Sequence, residues 1–243
     1  MPADLNGKTV AITGASRGIG AAAARAFADV GANVILLARD REAIASLAGE
    51  IGPTALAVPC DVTRYWEVEA AFAAAADAFG GLDILINNAS AFYPTPIGSI
   101  SESHWDDLIG SNLKAPLFLS QAAWPHLKSS QGVIINLLDI HSKRPLRNHP
   151  LYASSKAGLA MLTLSLAKDM APEVRVNGIA PGAILWPEEG MTESIKEDIL
   201  NQVPLGKPGE ARDIADCVIY LVRDATYVTG QIIAVDGGRS IGW

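Results

Sequence analysis

The sequence predicts a doubly wound, parallel α/β sheet, and three observations carry that expectation. Short apolar segments alternate with helix-length patterns along all 243 residues. The first apolar segment runs straight into a glycine-rich turn, and the polar residues able to do chemistry fall just after strand ends. Near-continuous apolar strands joined by helices imply a sheet covered on both faces, with a ligand crevice at the carboxyl ends where the topology reverses. With 49% hydrophobic residues, no linker and no internal repeat, residues 1–243 are expected to form a single domain.

The elements follow in order. Lys8–Thr13 is the first strand, and Gly14-Ala15-Ser16-Arg17-Gly18-Ile19-Gly20 is the turn after it. Gly14 permits the tight turn, Gly18 lets backbone approach a pyrophosphate, and Gly20 lets the helix Ala21–Val30 pack close to the sheet, its N-terminus facing the phosphates. Val34–Leu37 is the second strand. An acid closing it would accept from an adenosine 2′-hydroxyl, but Ala38 stands there, followed by Arg39. Arg39 and Arg17 can clamp a 2′-phosphate between two guanidinium groups, which favours NADPH; the competing reading pairs Arg39 with Asp40 on the surface. Ala55–Val58 leads to Asp61 and Val62, with Asp61 alternatively capping a helix that starts near Arg64. Ile84–Ile86 leads to Asn87-Asn88-Ala89-Ser90. A helix over Trp105–Lys128 holds Asn112, and Val133–Leu138 ends at Asp139. Helix Leu151–Met170, strand Arg175–Ile179 with Pro181-Gly182 after it, a short helical pattern over Ser194–Gln202 and strand Ile232–Val235 complete the series.

The chemistry concentrates at Asp139, Tyr152 and Lys156. Tyr152 and Lys156 are four residues apart, so a helix puts both on one face. A cation beside a phenol lowers its pKa toward working pH, as a general acid or base requires, whereas a neighbouring carboxylate raises it and keeps the phenol protonated. Asp139 accepts two hydrogen bonds when ionised or gives one when protonated, which suits a substrate with N–H groups or a ring nitrogen awaiting a proton.

Composition excludes several classes. A net charge of −7, with cations scattered among acids, leaves no nucleic-acid footprint. No apolar run approaches bilayer length and the lead Met1–Gly7 is too short for a signal peptide, so a cytoplasmic protein is expected. Cys60 and Cys217 read as buried thiols. His104, His126, His141 and His149 show no ligand spacing, so no metal is expected.

Thr13-Gly14-Ala15-Ser16-Arg17-Gly18-Ile19-Gly20, Asn87-Asn88-Ala89, Asn112, Tyr152-x-x-x-Lys156 and Pro181-Gly182 together resemble the short-chain dehydrogenase/reductase family over essentially the whole chain, which implies a Rossmann-type fold. Within it, the run from Asn88 to Pro96 and the aspartate at 139 resemble the pteridine reductases, which reduce biopterin- and folate-type rings with NADPH. The wider family commonly has glycine at the position of Ser90 and serine at that of Asp139. The resemblance implies a proton donor in Tyr152, a ribose-binding and tuning Lys156, and a water-linked proton path at Asn112. It also implies an adenine contact at Asp61 with Val62 beside it, a pterin stacked on Phe92 and hydrogen-bonded by Ser90, and a homotetramer. Ala183–Pro208 is expected to overhang the crevice as a lid, with Trp186 as its substrate contact, and Trp243 to border a neighbouring subunit's site. Two other function classes stand beside pteridine reduction. One is reduction of ketones or 3-oxoacyl thioesters, in which an anion at 139 would repel the developing alkoxide; the other is a non-catalytic NADPH-binding regulator, which intact Tyr152, Lys156 and Asn112 disfavour.

Overall fold

Val10, Ala11 and Ile12 are apolar in succession and wholly buried, as the central strand of a sheet covered on both faces requires. In the computed structural model, which describes residues 3–184 and 192–241, that strand is β1 (Thr9–Thr13). It is followed by α1 (Gly18–Asp29), β2 (Asn33–Ala38), α2 (Arg41–Ile51), β3 (Ala55–Pro59), α3 (Tyr65–Phe79) and β4 (Ile84–Asn87). The second half adds α4 (Glu102–Ile109), α5 (Ala115–Ser130), β5 (Val133–Leu137), α6 (Pro150–Asp169), β6 (Arg175–Pro181), α7 (Glu193–Leu200), α8 (Ala211–Arg223) and β7 (Ile232–Val235). All strands run parallel in one seven-stranded sheet ordered β3-β2-β1-β4-β5-β6-β7. The order reverses at β1, which pairs with β2 in the register Thr13↔Leu37 and with β4 in the register Ile12↔Ile86. The predicted crevice therefore opens above Thr13 and Asn87.

Alternate side chains of the same strands feed two cores. Val10, Ile12 and Leu36 pack with Phe27 of α1 and Ile214 and Val218 of α8. Ala11, Ile35 and Leu85 pack on the opposite face with Phe72 of α3 and Leu119 of α5. The alanines of α1 let that helix lie close to both α8 and the sheet, as the composition of Ala21–Val30 implies.

Three expectations need correction. The helix expected over Trp105–Lys128 is interrupted: α4 gives way to a π-helical turn, Gly110–Lys114, before α5 begins. Asp61 is not the cap of α3, whose N-cap is Arg64; instead its carboxylate accepts from the Thr63 amide and hydroxyl at 3.0 and 2.8 Å and stabilises its own turn. Cys60 is buried as expected, but Cys217 is only half-buried. Trp186 and Trp243 lie outside the described residues. Among the described residues no helix is long and apolar enough to cross a membrane, and no cluster of His, Cys, Asp or Glu could hold a metal ion.

Candidate active site

The glycine turn has the shape the sequence implies. Gly14 and Gly18 take positive φ values of 64° and 58°, open to glycine at no steric cost. A β-carbon on Gly20 would run into the Gly14 carbonyl and the Asn88 amide, and one on Gly14 would sit 2.9 Å from the Ala89 Cα, so the cradle closes only on glycine. Asn88, the residue after β4, holds this arrangement. Its Nδ2 donates to the carbonyls of Thr13 and Gly14 at 2.8 and 3.1 Å, while the Asn88 and Ala89 amides both donate to Thr13 Oγ1 at 2.9 Å. Arg17, the N-cap of α1, makes no side-chain cap hydrogen bond, so the first amides of the helix are not satisfied by a cap and suit an anionic group at its N-terminus. Ser16 and Ile19 complete the turn, both half-buried.

Arg39 emerges exposed at the end of β2. Asp40 does not hold it on the surface, since that carboxylate caps α2 by accepting from Ala43 at 3.0 Å. Burial pushes the Asp61 carboxyl up, but the Thr63 hydrogen bonds and the charges of Arg39 and Arg64 outweigh it and leave the group below the usual carboxylate range. Arg39 thus stands on the Asp61 side of the crevice. Half-buried Val62 follows, and Pro181-Gly182 closes the crevice beyond β6, where a β-carbon on Gly182 would meet Asp236.

Asp139 follows β5 and faces α6. Its Oδ1 accepts from the His141 amide at 2.8 Å, capping a 3₁₀ turn over Ile140–Ser142, and its Oδ2 accepts from the Tyr152 hydroxyl at 2.7 Å. One carboxylate oxygen is fixed by backbone and the other by the phenol. Tyr152 is 5% exposed and Lys156 3%. Lys156 Nζ donates to the Leu137 carbonyl at 2.9 Å and lies 5.9 Å from the Tyr152 ring centre. Burial and then the Asp139 charge and hydrogen bond hold the Tyr152 phenol well above its ordinary pKa. The expected lowering by Lys156 does not prevail, and the phenol stays protonated. Burial depresses the Lys156 ammonium to about 8, against the opposing pull of Asp139.

Asn112 sits in the π turn, fully buried, with its side chain engaged in anchoring a loop. Its Oδ1 accepts from the Ala91 amide at 2.8 Å and from the Ser90 and Ser111 hydroxyls at 3.1 and 3.0 Å. Its Nδ2 donates to the Ala91 carbonyl at 3.0 Å and to Ser155 Oγ at 3.1 Å. The side chain therefore ties the segment after β4 to α6. Ser90 is exposed, and Phe92 beyond it is 46% exposed. One face of Phe92 is stacked on His149 (centres 4.9 Å apart, planes 13° apart), and Tyr152 meets its ring edge-on at 4.7 Å.

Two residues that the sequence reading passed over belong to this site. His149 is the aromatic backing of Phe92. Arg239, 9% exposed in the turn after β7, carries a guanidinium on which the charges of Asp139 and Asp236 act. The lone basic residue in Asp236-Gly237-Gly238-Arg239 was the available signal for the second; nothing in spacing signalled the first.

A parallel sheet with a phosphate cradle at its switch point, and a buried tyrosine–lysine–carboxylate cluster on the adjoining strand end, defines a dinucleotide-dependent oxidoreductase. The family profile described as Enoyl-(Acyl carrier protein) reductase matches residues 14–240. The 3beta-hydroxysteroid dehydrogenase 1 of Eggerthella lenta is 38% identical, over 98% of this chain and 95% of its own. The 3-oxoacyl-(acyl-carrier-protein) reductase FabG of Vibrio cholerae serotype O1 is 36% identical over 97% and 98%. A solved 7 alpha-hydroxysteroid dehydrogenase, complexed with NADH and 7-oxo glycochenodeoxycholic acid, superposes with a TM-score of 0.92 at 34% identity, covering 96% of this chain and 94% of that one. The chain belongs to the short-chain dehydrogenase/reductase family, and its cofactor class is the nicotinamide dinucleotides.

Proposed function

We propose that the protein is an NADPH-dependent reductase of pteridine rings, of the dihydrobiopterin or dihydrofolate type. The reading is carried by the 2.7 Å hydrogen bond from buried Tyr152 to Asp139. The relatives named above reduce or form carbonyl groups, a chemistry in which a neutral hydroxyl beside the tyrosine serves the developing alkoxide. A carboxylate at 139 opposes that charge. It suits instead a ring whose N–H groups need an acceptor and whose nitrogen gains basicity during reduction.

The glycine cradle, the amides at the start of α1, Arg17 and Arg39 fit the phosphates of NADPH, and Asp61 with Val62 its adenine. When bound in that cradle, the dinucleotide would supply the hydride for the substrate carbon. Tyr152, kept protonated by burial and Asp139, delivers its proton from Oη to the ring nitrogen, and the phenolate left behind recovers a proton from solvent by way of Asp139 Oδ2, which takes it up and passes it on. Lys156, anchored on the Leu137 carbonyl, holds the ribose and keeps positive charge beside the phenol as it ionises. Asn112 fixes the loop that presents Ser90 and the open face of Phe92 to the ring. Exposed Trp105, Leu117, Met161 and Leu164 on α4, α5 and α6 support assembly as a homotetramer.

A second reading, reduction of a ketone or 3-oxoacyl thioester, is favoured by the whole-chain similarity to 3-oxoacyl-carrier-protein and hydroxysteroid enzymes. Following NADPH oxidation with biopterin, dihydrobiopterin, folate and dihydrofolate beside an acetoacetyl thioester separates the two. Preference for the thioester would overturn the pteridine assignment.

A further inference from the structure

Phe92 is a large apolar ring left 46% exposed beside the phenol of Tyr152, and its neighbours keep it there. The residues on either side of it are pinned. The Ala91 amide donates to Asn112 Oδ1 at 2.8 Å, and the Tyr93 hydroxyl donates to Asp107 Oδ2 of α4 at 2.9 Å. The ring itself is stacked on His149, with 4.9 Å between centres and 13° between planes. His149 is held in its turn. Its Nδ1 lies 2.8 Å from the Arg147 carbonyl, and a carbonyl can only accept, so Nδ1 carries the hydrogen and the bond fixes both the tautomer and the orientation of the imidazole. Asn148 before it has a φ of 64°, a left-handed conformation that asparagine tolerates, and its carbonyl accepts from the amide of wholly buried Thr95 at 2.7 Å. The turn that delivers His149 is thus fastened to the loop that carries Phe92, and the two rings meet in one geometry.

A side chain already held in one rotamer gives up little freedom when a ligand packs on it, so a propped ring binds more tightly than a loose one. With His149 on one face and Tyr152 set edge-on at 4.7 Å, the exposed part of Phe92 is the surface left to a ligand, and whatever stacks there lies beside the phenol that donates the proton. A planar ring gains from such a stack, whereas an open chain has no ring face to offer. We propose that His149 is a positioning residue for substrate selection: it props Phe92 as a preorganised platform, so that the site prefers planar aromatic or heteroaromatic rings to open-chain carbonyl compounds. This rests on the reading of the substrate as a ring and is independent of the proton chemistry at Asp139. Helix α6 does not depend on the imidazole, which makes no side-chain cap at that N-cap position, so replacing it leaves the start of the helix in place.

The test compares the parent, His149→Ala, His149→Phe, Phe92→Leu and the double variant His149→Ala/Phe92→Leu. Each is titrated, as its NADP⁺ complex, with dihydrobiopterin, with quinazoline as a planar ring outside the pteridines, and with an acetoacetyl thioester. His149→Ala should weaken both planar ligands about three- to tenfold and raise the KM of a planar substrate in step, while kcat moves by no more than about twofold. His149→Phe restores a ring and should return affinity to within about twofold of the parent. In the Phe92→Leu background the loss of the imidazole should cost no more than about twofold, because the ring it supports is gone. The thioester should lose less than the planar ligands. Equal weakening of thioester and planar ligands, a phenylalanine no better than alanine, or an undiminished loss in the Phe92→Leu background would overturn the proposal, as would a parent that binds neither planar ring. A parent that binds planar rings in a His149-dependent way yet reduces no pterin would end the pteridine reading and leave this one standing. Pterin turnover with planar affinities unmoved by His149→Ala would do the reverse.

Discussion

Replacing Asp139 with serine removes the acceptor to which Tyr152 donates at 2.7 Å and leaves a shorter, uncharged group in its place. Hydrogen bonds to charged groups are worth about 1.5–3 kcal/mol, and each 1.36 kcal/mol is a factor of ten in rate. If that strength is expressed in the transition state, pterin turnover falls roughly 10- to 150-fold, reaching the lower end of the about 10²- to 10⁴-fold that an acid/base partner contributes. Burial is the first cause of the raised Tyr152 pKa and survives the substitution, so the phenol remains protonated and the loss appears in kcat rather than in a new alkaline limb. NADPH affinity, measured by fluorescence titration, stays at the parent value because the glycine cradle, Arg17 and Arg39 are untouched. Steady-state NADPH oxidation with dihydrobiopterin gives kcat directly. Undiminished turnover in the variant, or a parent that reduces simple ketones faster than pterins, refutes this account of position 139.

Three further outcomes are expected. Arg39→Ala weakens NADPH by roughly ten- to a hundredfold and leaves NADH nearly unchanged, because only the former offers a 2′-phosphate to a charge-assisted bond; equal weakening in paired titrations would return Arg39 to the scaffold. Reduction needs a protonated Tyr152 and a charged Lys156, and the latter loses its proton through about pH 8, so kcat/KM, which reports the free enzyme, falls as pH rises through that value; a profile flat to pH 10 contradicts it. Burial, with Glu67 and Asp61 adding to it, pushes the Cys60 thiol up to about 12, so alkylation by iodoacetamide at pH 8 leaves Cys60 unmodified in the native protein as read by peptide mass.

Much of this architecture was legible because it rests on local patterns. Strand burial follows from apolar runs such as Val10-Ala11-Ile12 and Ile84-Leu85-Ile86, the cradle from glycine spacing, and the meeting of Tyr152 with Lys156 from one helical turn. Asp139 was legible by its offset from Tyr152. What escaped depends on distant parts of the chain converging. Arg239 feels the charge of a residue one hundred positions earlier, in a turn packed against Val203 and Pro204. His149 and Phe92 stack across 57 positions, with no periodicity to announce it. The direction of the Tyr152 shift depends on burial, which spacing alone does not supply.

The π turn at Gly110–Lys114 places one surplus residue between α4 and α5, closed by the Ala115 amide on the Gly110 carbonyl. Successive residues of an α-helix are about 100° apart around the axis, so removing that surplus would turn everything on one side of the joint by about that angle relative to the other. Asn112 would swing off Ala91 while α5 kept its seat on the sheet. The length of this segment is thus as strongly constrained as the identity of its asparagine: a substitution there trims one anchor, whereas a single-residue deletion dephases two helices at once.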